Sequence, residues 1–227
     1  MTKLDLSWAK EIELRPGTMD DYILREIERS YGKLEISDTD IVLDIGACFG
    51  AFSIFALKRG ARLVIAYEPD PDNYDQLATN SQRLDVTLSS KLWTINKAVT
   101  RLGYSTFLWR STGKNKGTHS TIEKRGRKAI AVESDDFDRV MSRYGPTVIK
   151  IDCEGCEHEL LERHDMYPCV KQVAVEFDMN RKSFRSSFKK IVDPKLGTFK
   201  ESNGWRVVVQ PLDTGVNWNA LGVWRRD

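Results

Sequence analysis

Long apolar runs are missing from this sequence. None approaches the roughly 18 residues that a membrane-spanning helix needs, and the start, MTKLDLSWAKEIE, lacks the apolar stretch of a signal peptide. An excess of one charge is missing too, because 35 Lys and Arg face 33 Asp and Glu, for a net charge of +2. That balance alone indicates no polyanionic partner. We therefore expect a globular protein without a membrane span and a cytoplasmic location.

Cysteine is scarce, with four residues in a chain of 227 and no regular framework. A chain of this length buries roughly 70% of its unfolded surface, so its stability requires neither a disulfide nor a metal. Cys153 and Cys156 form a C-x-x-C pair, but the other two cysteines supply no second pair for zinc. Three acidic residues surround this pair and oppose thiolate formation, which disfavours a redox dithiol. We expect reduced thiols that act as small packing residues.

Short β-branched runs alternate with helical patterns along the chain. The strands are expected at 41–45, 63–67, 92–99, 147–151, 173–177, 205–209 and 220–224. This alternation predicts an α/β fold with a mostly parallel seven-stranded sheet and helices on both faces. A turn-rich segment between the last two runs predicts an antiparallel C-terminal strand. Two weaker runs predict an inserted β-hairpin with a basic loop near 101–132.

A glycine turn, DIGACFG, joins the first strand to its helix. Gly46 and Gly50 let the backbone approach a ligand, and the helix start offers N–H groups to it. Glu68 ends the second strand 22 residues after Gly46, where an acidic residue binds ribose hydroxyls. The turn lacks the three glycines of a dinucleotide site and the lysine of a P-loop. It suits S-adenosylmethionine, which has no phosphate, and Asp44 suits the amino-acid end of that cofactor.

These segments resemble the FkbM-type family of S-adenosylmethionine-dependent O-methyltransferases. The resemblance is carried by LRPGTMDDYILREI, VLDIGACFGAFSIFA, YEPDPDNYDQLATN, NKAV, VESDDFDRV, IKIDCEGCEHELLE and VAVEFD. Beyond Asp178 it covers only a closing pair of strands. It implies a Rossmann-like class I methyltransferase fold and an enzyme that acts on hydroxyls, commonly of sugars. The implied partner is therefore a small-molecule or glycan acceptor.

The resemblance also implies where the cofactor lies. The residues implied are Asp44, Gly46, Ala47 and Gly50 around the methionine part, Glu68 at the ribose, Pro69, Asp70 and Asn73 near the adenosine, and Lys97 and Ala98 beside the adenine. Residues 41–227 would form the S-adenosylmethionine-binding methyltransferase domain. Residues 1–40 would add a lead-in and a cap helix to the same domain, because TMDD resembles a helix start and Ile23, Ile27 and Tyr31 share one helical face.

Acidic residues end the fourth and fifth strong strands at the edge where open α/β sheets bind ligands. Two interpretations stay open for them. Asp152, Glu176 and Asp178 would bind Mg²⁺ or Mn²⁺, which would activate the acceptor hydroxyl. Alternatively, Asp152 or Glu176 accepts the hydroxyl proton directly, and Lys150 tunes the pair. The arrangement is similar to that of metal-dependent catechol and macrolide-sugar methyltransferases, but these enzymes carry a Lys or His base where this chain has Gly155, which weakens the metal interpretation.

His119, in the inserted loop, is a second candidate base. The basic stretch 110–128 leaves an RNA ribose methyltransferase as an alternative, although the N/D-P-P-Y/F signature of base amino-methylases is replaced by IDCEG and we expect no nucleic-acid partner. A non-catalytic cofactor-binding module is a further alternative, which Asp44, Glu68 and Asp152 disfavour. The leading prediction is an in-line transfer of a methyl group from S-adenosylmethionine to a sugar hydroxyl. Nothing in the sequence indicates an oligomeric state.

Overall fold

Strands and helices alternate along the folded chain. The computed structural model describes residues 5–110, 119–121, 128–154, 156–160, 167–178, 205–213 and 218–226, with the backbone alone for 158, 177–178, 205–213 and 218–226. The described strands are β1 (Ile41–Ile45), β2 (Leu63–Tyr67), β3 (Leu92–Ile95), β4 (Ala98–Thr100), β5 (Thr106–Arg110), β6 (Lys128–Val132), β7 (Ser134–Asp136), β8 (Val148–Ile151), β9 (Gln172–Asp178), β10 (Trp205–Asp213) and β11 (Trp218–Arg226). The described helices are α1 (Asp20–Tyr31), α2 (Ala51–Lys58), α3 (Pro71–Gln82), α4 (Val86–Ser89), α5 (Phe137–Tyr144) and α6 (Glu157–Leu160).

Seven of these strands form the central sheet, in the order β10-β11-β9-β8-β1-β2-β3. The pairs from β3 across to β9 are parallel, whereas β11 is antiparallel to both of its neighbours. A mostly parallel sheet with an antiparallel C-terminal strand is the arrangement that the sequence predicts. Since β2 and β8 flank β1 on opposite sides, the strand order reverses at β1. Ligands bind in the crevice at the carboxyl ends of strands at such a point.

The predicted third strand, 92–99, is two strands in the structure. β3 ends at Ile95, and β4 leaves the central sheet to pair in parallel with β7. Asn96 lies at the break, where its Nδ2 donates to the carbonyl oxygen of Glu68 at 2.8 Å and turns the chain away from the sheet. β5 and β6 form the predicted antiparallel hairpin. Most of the predicted basic loop of that hairpin, residues 111–118 and 122–127, lies outside the described residues.

α2 is buried on every side, from Ala51 to Leu57. A helix that is apolar all round needs cover on both faces, and the residues before β1 supply the second cover. The Tyr31 ring meets the Phe52 ring edge-on at 5.0 Å, and the Trp8 ring meets Phe55 at 5.2 Å. The division of the chain at residue 40 stays a prediction. None of the described helices is long and apolar enough to cross a membrane.

The turns that follow β1 and β8 approach each other closely at Gly46. This residue has φ +81°, and a Cβ atom on it would lie 1.9 Å from the carbonyl oxygen of Asp152. Because that oxygen belongs to the backbone, it cannot rotate away as a side chain would. Glycine is therefore required here both for its conformation and for the space that it leaves.

Replacing Gly46 with alanine should destabilise the fold and separate the two turns. Gly17→Ala is a matched control, because Gly17 has φ +74° but a Cβ there has nothing within 4 Å. The control bears only the conformational cost of ~1 kcal/mol. We expect Gly46→Ala to lower the free energy of unfolding by about 3 kcal/mol or more, because strain and displaced backbone add to that cost. Urea denaturation measures both variants, and equal losses would contradict the close approach.

Candidate active site at the carboxyl ends of the strands

The glycine turn after β1 folds over the end of β2. The N–H groups of Gly46 and Ala47 both donate to the carbonyl oxygen of Tyr67, at 3.0 and 2.9 Å. Gly50, with φ +89°, then starts α2. The first N–H groups of a helix have no partner within it, so the turn sets a helix N-terminus at the ligand-binding edge of the sheet.

Glu68, at the end of β2, is buried against this turn. Its Oε2 accepts from the N–H of Cys48 and its Oε1 from the N–H of Asp70, both at 2.8 Å. Burial raises the pKa of Glu68 to about 7, although these two N–H donors oppose that shift. A carboxylate has about four acceptor positions, so two oxygens that each hold one donor can still accept from hydroxyl groups. The residue predicted to bind ribose thus lies beside the glycine turn.

Lys150 is the buried cation of the site. Its Nζ donates to the carbonyl oxygen of Gly46 at 2.7 Å and lies 3.2 Å from Asp44 Oδ1 and 3.5 Å from Asp152 Oδ2. Burial opposes its charge, but the carboxylates of Asp44 and Asp152 outweigh burial and raise the pKa of Lys150. Asp44 is further fixed by the Ser53 hydroxyl, which donates to Oδ2 at 2.6 Å. The predicted interaction of Lys150 with Asp152 is therefore present in the structure, and Asp44 is a second carboxylate partner of the same ammonium group.

Asp152 and Glu176 occupy matching positions at the ends of neighbouring strands. The register pairs Ile151 of β8 with Val175 of β9. Each acid is the next residue in its chain segment, so the two acids lie at neighbouring positions. The side chain of Asp152 is 31% exposed. Burial and the nearby charge of Asp44 raise the pKa of Asp152, while Lys150 opposes them.

α1 contributes two further groups that the sequence analysis did not assign to the site. Burial, followed by the charge of Asp152, raises the pKa of Glu26 to about 7. The buried hydroxyl of Tyr31 has no hydrogen-bond partner among the described residues. Burial, followed by the charges of Asp152 and Glu176, raises the pKa of Tyr31. Glu26 lies within the segment LRPGTMDDYILREI and Tyr31 on the predicted face of α1, but their interaction with these acids arises from tertiary packing, which no motif indicates.

The predicted metal ligands gain no support from this geometry. The Lys150 ammonium lies between Asp44 and Asp152, and it would repel a divalent cation bound there. The Asp178 side chain falls outside the described residues, so the full set stays a prediction. Within the described part of the chain, the potential ligand atoms that lie close together belong to Cys153, Cys156 and Glu157, but a disulfide between the two cysteines leaves no thiolate there to bind an ion.

His119 is buried against Asp70, with Nδ1 3.1 Å from Asp70 Oδ2. Asp70 begins α3 by accepting from the N–H of Asn73 at 3.1 Å, and Arg110 Nε lies 2.6 Å from Asp70 Oδ2. Burial would raise the pKa of Asp70, but His119, Asn73 and Arg110 together lower it. Asp70 was predicted to lie near the adenosine. The structure adds that its carboxylate lies beside the imidazole of His119, whose two buried ring nitrogens have no hydrogen-bond partner among the described residues.

The loop between β8 and α6 carries a disulfide. Cys153 and Cys156 are bonded, so the prediction of reduced thiols is wrong for this pair. Glu154 has a left-handed backbone with φ +56°, which turns the loop back and brings the two Cα atoms to 5.5 Å. The Ser120 hydroxyl donates to the carbonyl oxygen of Glu154 at 2.5 Å. Residues 119–120 of the insertion thus reach from Asp70, after β2, to the β8–α6 loop.

The remaining predicted cofactor residues lie around the end of β3. Lys97 Nζ is 3.0 Å from Asp135 Oδ1, and Ala98 packs with Leu108 in a small cluster on the insertion side. The Pro69 carbonyl oxygen accepts from Asn96 Nδ2 at 3.3 Å. These three residues therefore border the insertion, and their predicted contacts with adenine and adenosine stay predictions.

The reversal of strand order at β1, the glycine turn and the acid after β2 define a Rossmann-like cofactor-binding fold of the methyltransferase class. Residues 44–201 match the model of the family described as "Methyltransferase FkbM domain". The chain belongs to this family, as the resemblance in its motifs implied.

Relatives and solved structures agree with this assignment. The hexuronic acid methyltransferase AglP of Haloferax volcanii is 24% identical over 128 residues, which cover 56% of this chain and 51% of AglP. This chain therefore spans about half the length of that relative. The crystal structure of an FkbM methyltransferase from Methylobacillus flagellatus has a TM-score of 0.57 at 16% identity, covering 96% of this chain and 57% of that chain. A Streptococcus pneumoniae protein with a proposed tRNA methyltransferase activity has a TM-score of 0.50 at 13% identity, covering 88% and 69%. The two structures share the fold, which confirms the predicted fold class.

Lys150→Met should destabilise the protein more at pH 8 than at pH 5. Removing one partner of a buried charge pair costs about 3–5 kcal/mol. Protons can relieve the cost at low pH, because the already raised pKa of Asp152 would rise further without the ammonium group. Lys171→Met is the matched control, since the half-exposed Lys171 pairs with Asp40 at 3.0 Å and should cost under ~1 kcal/mol. Urea denaturation at both pH values is the measurement, and a pH-independent loss would argue against a buried ion cluster.

Proposed function

We propose that this chain transfers a methyl group from S-adenosylmethionine to a hydroxyl group of a sugar-type acceptor. The convergence of the glycine turn, Glu68 and Asp152 at the crevice beside β1 carries this proposal. Membership of a methyltransferase family supports the reaction class. The sugar acid named for AglP supports a sugar-type acceptor, although AglP is only 24% identical over the aligned part.

The residues at the crevice fit the proposed cofactor. Glu68 is held by two backbone donors and keeps acceptor capacity for the ribose hydroxyls. Once bound, S-adenosylmethionine supplies an electrophilic methyl group on a positively charged sulfur. We place the methionine part near Gly46 and the ribose near Glu68.

The acceptor is proposed to lie on the β8 side of the crevice. Asp152 and Glu176 would accept hydrogen bonds from its hydroxyls and so orient the attacking oxygen. Lys150 opposes the rise in the pKa of Asp152 and so favours the ionised form, which accepts hydrogen bonds. Since displacement at a methyl group requires alignment of the oxygen with the leaving sulfur, this orientation contributes much of the rate.

His119 is the base that we propose for the hydroxyl proton. Its Nδ1 lies 3.1 Å from Asp70 Oδ2, and its buried Nε2 has no hydrogen-bond partner among the described residues, so Nε2 would be the nitrogen that accepts the proton. We assign Asp152 to orientation instead, since the Lys150 ammonium already lies 3.5 Å from its Oδ2. Ser120, the next residue in the insertion, donates to the Glu154 carbonyl oxygen in the β8–α6 loop. This contact supports a position for His119 above the crevice.

The alternatives from the sequence gain less support. A metal-free reaction is favoured, because the Lys150 ammonium lies where a dication beside Asp152 would be repelled. Arg110, at the start of the basic stretch, pairs with Asp70 and Asp72, so its charge is already neutralised. The RNA ribose alternative therefore has no contact among the described residues that favours it.

The function is tested by methyl transfer from S-adenosylmethionine to 4-nitrophenyl glucuronide and to neutral 4-nitrophenyl glycosides, with and without EDTA. We expect EDTA-insensitive activity and an alkali-stable methyl ether, since an ester on the carboxyl group would be cleaved by alkali. His119→Gln should lower kcat by about 10²–10⁴-fold, as expected for loss of a general base. Asp152→Asn should reduce kcat/KM for the acceptor, and Asp75→Asn, an exposed position, should not.

The outcomes separate the parts of this proposal. No transfer to any of these acceptors would contradict the sugar acceptor. Activity that EDTA abolishes and Mn²⁺ restores would return the reaction to a metal mechanism. Full activity in His119→Gln would remove His119 as the base.

Cofactor affinity should rise with pH through about 7. The ionised Glu68 accepts ribose hydroxyls better than the protonated acid, and the pKa of Glu68 is raised to about 7. The ionised fraction then rises about tenfold between pH 6 and pH 8, and the apparent affinity rises with the competent fraction. Isothermal titration with S-adenosylhomocysteine measures this dependence. Glu68→Gln should bind about tenfold more weakly at pH 8 and lose the pH slope, whereas an unchanged slope would assign it to another group.

A further inference from the structure

Arg15 lies in the lead-in before α1, outside the segment 44–201 that matches the family. Its guanidinium nevertheless reaches the glycine turn. Nη2 lies 3.9 Å from Cys48 Sγ, Cζ lies 5.8 Å from the Phe49 ring centroid, and Nη1 donates to Asn73 Oδ1 at 2.6 Å. Arg15 therefore contacts both the turn after β1 and the helix after β2.

Asp20 fixes the guanidinium in this position. Arg15 Nε donates to Asp20 Oδ2 at 2.9 Å and Nη2 to Oδ1 at 2.8 Å, a two-pronged contact that the backbone N–H of Arg15 extends at 3.0 Å. Asp20 is buried and the Arg15 side chain is 16% exposed. Because a carboxylate holds one edge of the planar guanidinium, the other edge is preorganised to bind a second anionic group.

The other edge of the guanidinium has bonding capacity left. Of its five N–H groups, two donate to Asp20, one to Asn73 and one to the Cys48 sulfur. Sulfur is a weak acceptor, so the last of these contacts yields readily to an oxygen. The fifth N–H, on Nη1, has no partner among the described residues. Two N–H groups can thus serve one carboxylate.

The proposed cofactor has one anionic group, the α-carboxylate of its methionine part. Lys150 is a poor partner for it, because its ammonium group already donates to the Gly46 carbonyl oxygen and lies 3.2 and 3.5 Å from the carboxylates of Asp44 and Asp152. Arg110 is bound to two acids beside α3. Of the described cations, Lys150 and Arg15 contact the glycine turn itself, and of these two Arg15 has the N–H groups to spare.

We propose that Arg15 binds the α-carboxylate of S-adenosylmethionine and that Asp20 positions it. The inference rests on the proposed function, since it presumes that cofactor. It makes the lead-in before α1 part of the cofactor site. Arg15 would then favour ligands that carry the carboxylate over the same ligands without it.

The test compares S-adenosylhomocysteine with the amine that it becomes on decarboxylation, by isothermal titration. Wild-type protein should bind S-adenosylhomocysteine more tightly than the amine. Arg15→Gln should weaken S-adenosylhomocysteine about 10–100-fold, the range for a charged hydrogen-bonded contact, and leave the amine within about twofold. Arg15→Lys should recover part of the loss, because it keeps the charge without the fork.

Two controls keep a folding defect from imitating this result. Arg15→Gln leaves the buried Asp20 without its charged partner. The double variant Arg15→Gln/Asp20→Asn is therefore measured as well, and thermal unfolding shows whether each variant is folded. Arg25→Gln removes a comparable arginine–aspartate contact, to Asp21, from the exposed face of α1 and should change neither affinity.

The outcomes distinguish this inference from the function on which it rests. Wild-type protein that binds neither ligand overturns the proposed function. Wild-type binding that Arg15→Gln weakens equally for both ligands, or for neither, overturns the role of Arg15 and leaves the proposed function standing.

Discussion

The buried ammonium group of Lys150 joins the strand ends on which the site is built. It donates to the Gly46 carbonyl of the β1 turn and lies between the carboxylates of Asp44, in β1, and Asp152, directly after β8. Without it, two carboxylates would repel each other in a region of low dielectric. Lys150 lies on a central strand that is buried along its length, so water cannot replace the ammonium group. The position of the glycine turn and that of Asp152 therefore depend on one charge.

Hydrogen bonds from the surrounding elements restrain the backbone of the glycine turn at three of its residues. Lys150 binds the Gly46 carbonyl, Glu68 binds the Cys48 N–H, and Asn80 Nδ2 donates to the Phe49 carbonyl at 2.9 Å. A turn fixed in this way has little conformational freedom to lose when a ligand binds. Preorganisation of this kind lowers the entropic cost of binding and keeps the reacting groups aligned.

Local signals explain which features the sequence could predict. Gly46, Glu68 and Asp152 each lie within two residues of a strand end, so strand–turn–helix patterns and spacing identify them. The break at Asn96 was missed because it depends on a hydrogen bond to Glu68. The partnership of His119 with Asp70 and the approach of Arg15 to the turn likewise arise from tertiary packing. The Cys153–Cys156 disulfide was missed because composition alone favoured reduced thiols.

The acceptor side of the crevice is bordered by elements outside the glycine-turn unit. The insertion reaches it through His119 and Ser120, and α1 brings Glu26 and Tyr31 towards Asp152. Under the proposed function, cofactor recognition would depend mainly on the turn after β1 and the acid after β2. Loops and appended helices can change without disturbing a parallel sheet. Acceptor choice would then be determined by the insertion and by α1, while the strand ends that bind the cofactor keep a geometry set by Lys150.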